Sequence, residues 1–317
     1  MKTISKLMIG IVLAAFMFLN SNAQPKSEIP DDNKQKMNWS DADTLYTFQF
    51  NSTSRTWEYF QREIRLFDKN DYPLENFVQN WQSESKNWRN YLRINYSYDE
   101  NSNEIEEITQ SWDPSTDSWI NAQLKITSYK GRNKDEILFQ QWQKPANEWF
   151  NIMKYLITYN HKGDKNAVII SLYNGVTRHW DYHKKFNMEF DTDFSPPSVV
   201  IAQSWISNNW KKEGKYEIEY NWRGKKSQEI RYTWNQGHKN WLEGIFLEMN
   251  YDKKGNQTEY IEKKYDYKNK SWMNFNKYNA LYNEDGYMTE KTEFLWNRST
   301  NLWDEDAKFK FTTDTKI

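Results

Sequence analysis

The sequence predicts an all-β protein made of tandem β-hairpin repeats of about 31 residues, joined into one long antiparallel meander. Tryptophan recurs every 30 or 31 residues, at Trp57, Trp88, Trp119, Trp149, Trp180, Trp210, Trp241, Trp272 and Trp303. Between these positions, apolar and charged residues alternate with period two, as in residues 216–220 and 230–234. That period belongs to a strand and not to a helix, so each unit reads as paired strands.

Two further aromatic columns keep the same interval. One lies ten residues after the first eight tryptophans, at Phe67, Tyr98, Tyr129, Tyr159, Phe190, Tyr220, Tyr251 and Tyr282. The other lies seven residues before most of the series, at Phe50, Trp81, Trp112, Trp142, Tyr173, Trp234, Tyr265 and Trp296. With a leading strand at residues 45–50 and a closing strand at 303–312, two strands per unit give about 18 strands.

Turn chemistry supports the hairpins. Four units place a glycine three residues after the Asp or Asn that follows the Tyr/Phe column, at Gly163, Gly224, Gly255 and Gly286, where a hairpin turn favours positive φ. The polar six-residue links between paired aromatics fit the opposite turns. Because adjacent strands rotate by about 20–25°, we expect a curled or superhelical sheet with its aromatic face inward.

The N-terminal residues predict export. Lys2 and Lys6 precede an apolar run over residues 7–19, and small residues lead to Ala23, which is the layout of a cleavable signal peptide. We therefore divide the chain into a signal peptide (1–23), a flexible linker (24–44) and a β-hairpin repeat domain (45–317). We expect no transmembrane segment in the mature chain, and the expected location is secreted, periplasmic or at the cell surface.

Composition limits the partners. The 43 Lys and Arg balance 44 Asp and Glu, so no strong field would recruit nucleic acid. Aromatic residues make up 17% of the chain, which is far from the composition of a disordered protein. Large rings must therefore supply much of the buried surface.

The turn sequences carry a family resemblance. Residues 251–256 read Tyr-Asp-x-x-Gly-Asn, and residues 282–286 are close to them. This stretch resembles the tyrosine-aspartate (YD, Rhs-type) repeats of secreted bacterial proteins. The whole chain resembles exported, Trp/Tyr-rich repeat proteins of Bacteroidetes, although YD units are shorter and lack the Trp-x6-Trp link. The resemblance implies β-sheet shells and surface structures without an active site.

No motif for catalysis, metal or cofactor is present in the sequence. The chain has no cysteine, no Gly-x-Ser-x-Gly and no glycine-rich phosphate loop. His179 and His183 would lie about 13 Å apart along a strand, too far to share a zinc ion. We predict that the protein is not an enzyme and has neither a metal nor a cofactor.

Candidate ligand-binding residues are the rings that fall outside the three columns. They are Trp39, Trp205 and Trp222, together with Phe194 in the segment 191–197 that replaces the usual turn of the unit between Trp180 and Trp210. The link in that unit also shrinks. Irregularity inside a regular array indicates either a site or a kink.

The leading hypothesis is a non-catalytic exported binding or scaffold protein that presents an extended β-repeat surface to glycan or to another surface or secreted protein. The first alternative is an outer-membrane β-barrel. Against it, Glu63, Arg65, Lys125 and Lys184 share the parity of their strand's tryptophan, which would place charges on a lipid-facing aromatic side. The second alternative is a cryptic hydrolase, which would need two convergent carboxylates.

Overall fold

The computed structural model describes residues 42–51, 54–70, 72–191 and 195–315. They form 18 strands: β1 (Ala42–Asn51), β2 (Thr56–Phe67), β3 (Pro73–Gln82), β4 (Asn87–Tyr98), β5 (Glu104–Asp113), β6 (Ser118–Lys130), β7 (Asn133–Gln143), β8 (Glu148–Tyr159), β9 (Lys165–Asn174), β10 (His179–Glu189), β11 (Val199–Ile206), β12 (Asn209–Tyr220), β13 (Lys226–Asn235), β14 (Asn240–Tyr251), β15 (Gln257–Asp266), β16 (Ser271–Tyr282), β17 (Met288–Asn297) and β18 (Leu302–Thr315). The predicted signal peptide and nearly all of the predicted linker lie outside these residues.

The sheet closes into a barrel. Each strand pairs antiparallel with its neighbours in sequence, and β1 pairs with both β2 and β18. Thr47, for example, lies opposite Gln61 on one side and Phe311 on the other. The predicted meander of 18 strands is confirmed, and its two ends meet. Closure removes the exposed edges that an open sheet would leave for aggregation.

Two kinds of turn connect the strands. At the four glycine-bearing turns φ lies between 70 and 88°, as the sequence predicts. At the other end of the barrel, the residue two positions before each tryptophan also has positive φ without being glycine: Arg55, Lys86, Asp117, Asn147, Arg178, Asn208, Lys239, Lys270 and Asn301. The link before Trp210 contains only Ser207 and Asn208, both with positive φ, which is the geometry of a two-residue type I′ turn.

A β-bulge follows every tryptophan of the 31-residue series. In β2, Tyr59 pairs with Phe48 and Gln61 pairs with Thr47, which leaves Phe60 without an opposite residue. The same step recurs three residues after each of the nine tryptophans. A bulge of one residue reverses the facing of everything beyond it.

The bulges correct the parity argument from the sequence. Glu63 and Arg65 lie beyond the bulge of β2, Lys125 beyond that of β6, and Lys184 beyond that of β10. All four therefore point to the face opposite their tryptophan. Other charged residues take the positions on the tryptophan side, and they are described below.

One face of the sheet carries the buried core. We call it the core face, and the tryptophan-bearing side the girdle face. The core face contains Ile137, Met153, Tyr155, Ile157, Val168, Ile170, Phe186, Met188, Val200, Ala202 and Ile218, which form one cluster on β7 to β12. All described strands belong to one closed sheet, so only the barrel's own interior can shield these residues. The core face is therefore the inside.

The expectation of an inward aromatic face is wrong for the tryptophan series. All nine tryptophans are half-buried and lie on the girdle face, outside the barrel. The physical reason is the bulge: without it, each tryptophan would share a face with the core residues further along its own strand. Aliphatic residues, Met153, Met188, Tyr155 and Phe186 fill the interior between β7 and β12 instead.

The Tyr/Phe column ties neighbouring strands together near the turns opposite the links. Six tyrosine hydroxyls donate to backbone carbonyls 23 or 25 residues upstream, from Tyr98, Tyr129, Tyr159, Tyr220, Tyr251 and Tyr282. The oxygen–oxygen distances are 2.7–3.0 Å. Tyr220 keeps its bond, to Pro197, even in the irregular unit.

Candidate functional site

A ring of aromatic pairs runs around the link end of the barrel. Each pair joins the two strands of one link hairpin, and the rings meet edge to face at centroid distances of 4.8–5.4 Å. We call the nine pairs the aromatic girdle: Phe50–Trp57, Trp81–Trp88, Trp112–Trp119, Trp142–Trp149, Tyr173–Trp180, Trp205–Trp210, Trp234–Trp241, Tyr265–Trp272 and Trp296–Trp303. Such pairs add about 0.5–1.5 kcal/mol each beyond the area that they bury.

Cations cover many of the girdle rings. Five of these cations belong to a column five residues after each tryptophan, whereas Lys212 and Lys310 lie outside it. The column consists of Arg62, Arg93, Leu124, Lys154, Lys185, Lys215, Phe246, Lys277 and Lys308. Arg62 lies 4.9 Å from the ring of Trp88, and Arg93 lies 5.1 Å from that of Trp119. The same step joins Lys154 to Trp180, Lys215 to Trp241 and Lys277 to Trp303. Sequence reasoning missed this column, although seven of its nine members are basic.

Between β4 and β6 the polar groups beside the girdle satisfy one another. Arg93 Nε donates to Gln110 Oε1 at 2.8 Å, and Gln110 Nε2 donates to Asn121 Oδ1 at 2.8 Å. The guanidinium of Arg93 also covers the ring of Trp119. In this unit, both Arg93 and the ring of Trp119 are therefore already engaged.

The irregular unit differs at the equivalent positions. Tyr182 stands two residues after Trp180, where Asn90 and Asn121 stand in their units. Its ring contacts Trp205 at 5.3 Å and Trp210 at 5.7 Å, and Tyr182 remains 52% exposed. The three rings form a continuous outward aromatic patch on β10, β11 and β12.

A polar row lies directly behind these rings on the same face. Lys185 pairs in register with Gln203, and Gln203 pairs with Lys212. Gln203 Oε1 accepts a hydrogen bond from Asn187 Nδ2 at 2.9 Å. We call the six residues Tyr182, Trp205, Trp210, Lys185, Gln203 and Lys212 the β10–β12 platform; it is the candidate functional site.

The structure places the predicted ligand-binding residues in different settings. Trp205 belongs to the platform, and it lies in the girdle rather than outside it, because the two-residue link brings it opposite Trp210. Trp222 is isolated in the β12–β13 turn, 87% exposed, with the guanidinium of Arg223 at 4.4 Å from its ring. Trp39 and Phe194 lie outside the described residues.

The barrel interior contains charged groups that neutralise one another. Glu229 is 0% exposed, and its carboxylate accepts from Lys226 Nζ at 2.7 Å and Arg231 Nε at 2.5 Å. Burial alone would lower the pKa of Lys125, but the carboxylates of Glu107 and Glu104 outweigh it and raise that pKa. Within the described ranges, no three His, Cys, Asp or Glu side chains are grouped so as to hold a metal ion.

Buried tyrosines make the fold sensitive to alkali. Burial raises the pKa of Tyr220, Tyr260 and Tyr278 from 10.0 to about 12. Because the folded pKa lies above the unfolded one, this contribution to stability is complete below pH 10 and is lost as the pH rises through 12. We expect the buried tyrosines to ionise only above pH 10. The increase in tyrosinate absorbance that reports this ionisation should accompany a decrease in the β-sheet circular dichroism signal. Ionisation of all 21 tyrosines near pH 10 in an intact sheet would contradict this.

The solved structures that match this chain are only distantly similar to it. No protein-family model and no curated protein matches the chain. A protein of unknown function from Bacteroides fragilis is 15% identical, over 39% of this chain and 89% of its own, with a TM-score of 0.35. A porin-like protein from Bacteroides uniformis is 6% identical, over 86% and 98%, with a TM-score of 0.38. A TcdB2-TccC3 structure is 10% identical, over 79% and 15%, with a TM-score of 0.32. At these values no functional inference follows.

Proposed function

We propose that this chain is a non-catalytic exported barrel that presents its outer face to a glycan or protein partner in water. The observation that carries the proposal is the polarity of the girdle face. Five ion pairs lie on it at intervals around the barrel: Arg93–Glu75, Lys154–Glu136, Lys215–Glu217, Lys263–Glu248 and Lys308–Glu290. Ion pairs of this kind are typical of a protein surface that is in contact with water.

The interior supports the same proposal. The apolar cluster on β7 to β12 is packed to exposures of 1–8%, which is the arrangement of a protein core. Between β7 and β12 the barrel has apolar residues inside, and its outer face carries ion pairs, whereas the outward band of a transmembrane barrel is apolar. Its working surface is therefore the outside.

An outer-membrane barrel is the second candidate. The closed ring of 18 strands favours it, and so does the aromatic girdle, since transmembrane barrels carry rings of aromatic residues at their interfaces. In a membrane, however, Arg93, Lys154 and Lys277 would face lipid from the girdle face. Each costs about 2–4 kcal/mol if it lies near the bilayer midplane. No helix among the described residues has the length and apolarity to cross a membrane.

Absence of catalysis is part of the proposal. The most buried carboxylate, Glu229, is held by two cations and has no room to act as an acid or base. A hydrolase would instead need two carboxylates aimed at one substrate bond. The export step rests on residues 1–23 and remains a prediction from the sequence.

Cell fractionation tests the proposal. The full chain, with its own N-terminus, is expressed in a Gram-negative host, and each fraction is examined by mass spectrometry and gel filtration without detergent. We expect a product cleaved after Ala23 that is monodisperse in the soluble periplasmic or secreted fraction. Recovery only from outer membranes, with release only by detergent, would establish the second candidate instead.

A further inference from the structure

We propose that the β10–β12 platform binds acidic carbohydrate, with pyranose rings against its aromatic residues and carboxylates against its lysines. This inference rests on the proposed function, because it requires the girdle face to be in water. It deepens that function by assigning both a site and a ligand class. The platform differs in its contacts from the same positions between β4 and β6.

The regular unit shows what the platform lacks. There, Arg93 bonds to Gln110, Gln110 bonds to Asn121, and the guanidinium closes over Trp119. The equivalent residues on the platform are Lys185, Gln203 and Lys212, at the same offsets from their aromatic residues. In place of the hydrogen-bonded network of Arg93, Gln110 and Asn121, the platform has an amide, Gln203, between two lysines.

Tyr182 enlarges the aromatic surface, and its ring lies against Trp205 and Trp210. Tyr59 lies against Trp81 and Trp88 in the same way, but there Arg62 also covers the ring of Trp88. Among the described residues, no cation covers the rings of Tyr182, Trp205 or Trp210, and Lys185 forms no ion pair. Lys185 is therefore an uncommitted ammonium group beside an uncovered aromatic surface.

The positive charges of Lys185 and Lys212 favour an anionic ligand. Lys185 and Lys212 flank Gln203 on neighbouring strands, and neither row of the platform contains a carboxylate. Glu213 lies next to Lys212 in sequence, but its carboxylate accepts from Lys184 Nζ at 2.7 Å and Ser204 Oγ at 2.6 Å. Lys212 also lies 4.6 Å from the ring of Trp234, so Lys185 is the principal partner for a carboxylate.

The chemistry of a hexuronic-acid chain matches this surface. The apolar face of a pyranose can lie on a flat aromatic ring, as other amphipathic ligands do. Its hydroxyls can bond to the amide of Gln203, and its carboxylate can pair with an ammonium group. Because the lysines are near the surface, salt should weaken the binding.

Calorimetry on the full mature chain tests the proposal with oligogalacturonate, and with a neutral galactose oligomer of the same length for comparison. We expect binding of the acidic oligomer that weakens with salt. Tyr182→Asn, which introduces the residue found at Asn90, Asn121, Asn151 and Asn274, should weaken it about tenfold. Lys185→Gln should remove most of the salt dependence. Lys154→Gln, in the same column but engaged with Trp180, should leave binding unchanged.

Several outcomes would overturn the assignment. They are equal binding of the neutral oligomer, binding that persists in Tyr182→Asn, equal loss in Lys154→Gln, and binding of polyglutamate but not of the oligosaccharide. A soluble barrel that binds neither oligomer would overturn this inference and leave the proposed function standing. Recovery of the chain only from membranes would overturn both.

Discussion

Replacing Glu229 by alanine is expected to lower the free energy of unfolding by about 3–5 kcal/mol, because it leaves buried cations without their counter-charge. Glu229 is fully enclosed on the core face of β13, and it is bonded to both Lys226 and Arg231. The loss would be measured by urea denaturation followed by tryptophan fluorescence and circular dichroism.

Glu248→Ala is the matched control for this change. Glu248 pairs with Lys263 on the girdle face, where solvent reaches both side chains. An exposed pair contributes about 0–1 kcal/mol, so the control should stay close to the parent protein. Equal losses in the two variants would mean that Glu229 is not enclosed, and would contradict the assignment of the core face to the inside.

Tyr155→Ala is expected to cost about 3–5 kcal/mol, which is the usual range for truncating a buried aromatic residue. Tyr155 is 2% exposed at the centre of the core cluster. It lies opposite Ile137 and Ile170 on the neighbouring strands, and its ring is 5.1 Å from that of Phe139. Thermal and urea unfolding would measure the loss.

Tyr155→Phe separates the ring from its hydroxyl. Within the described part of the chain, Tyr155 Oη is buried and has no hydrogen-bond partner. Burying an unsatisfied hydroxyl costs about 1–3 kcal/mol, so its removal should leave stability unchanged or raise it. A loss of more than about 1 kcal/mol in Tyr155→Phe would show that the hydroxyl is bonded and that the packing described for this region is wrong.

The sequence was sufficient to predict the fold class, because the aromatic residues and the turn residues recur at the same interval of 30 or 31 residues. Each tryptophan marks a link hairpin, and the glycines with positive φ mark the opposite turns. The strand count followed from two strands per unit and the two flanking strands. A closed ring was not predictable, since the contacts between β1 and β18 join the two ends of the repeat domain.

The facing of side chains could not be predicted, because the bulge has no sequence signature. The bulged residues are Phe60, Tyr91, Ala122, Ile152, His183, Glu213, Gly244, Phe275 and Asp306. They share neither size, charge nor polarity. The parity argument therefore assigned Glu63 and Lys125 to the wrong face.

The candidate site was partly within reach of the sequence. Trp205 stands out in the sequence because it falls outside the three aromatic columns, but the short link before Trp210 places it in the girdle. Tyr182 and Lys185 were missed, although each is visible as a member of a column, two and five residues after Trp180. Whether they form a site depends on which rings and cations contact each other across β10, β11 and β12, and the sequence alone does not give those contacts.

Cross-linking across the closure of the barrel tests the central claim most directly. Phe48 and Lys310 lie opposite each other on β1 and β18, and the natural chain contains no cysteine. In Phe48→Cys/Lys310→Cys, a short thiol-specific cross-linker should join the two ends efficiently and increase mobility in a denaturing gel. Phe48→Cys/Lys263→Cys, with its second cysteine on β15, should not react. Absence of the first cross-link in folded protein, or equal reaction in both, would contradict a closed barrel.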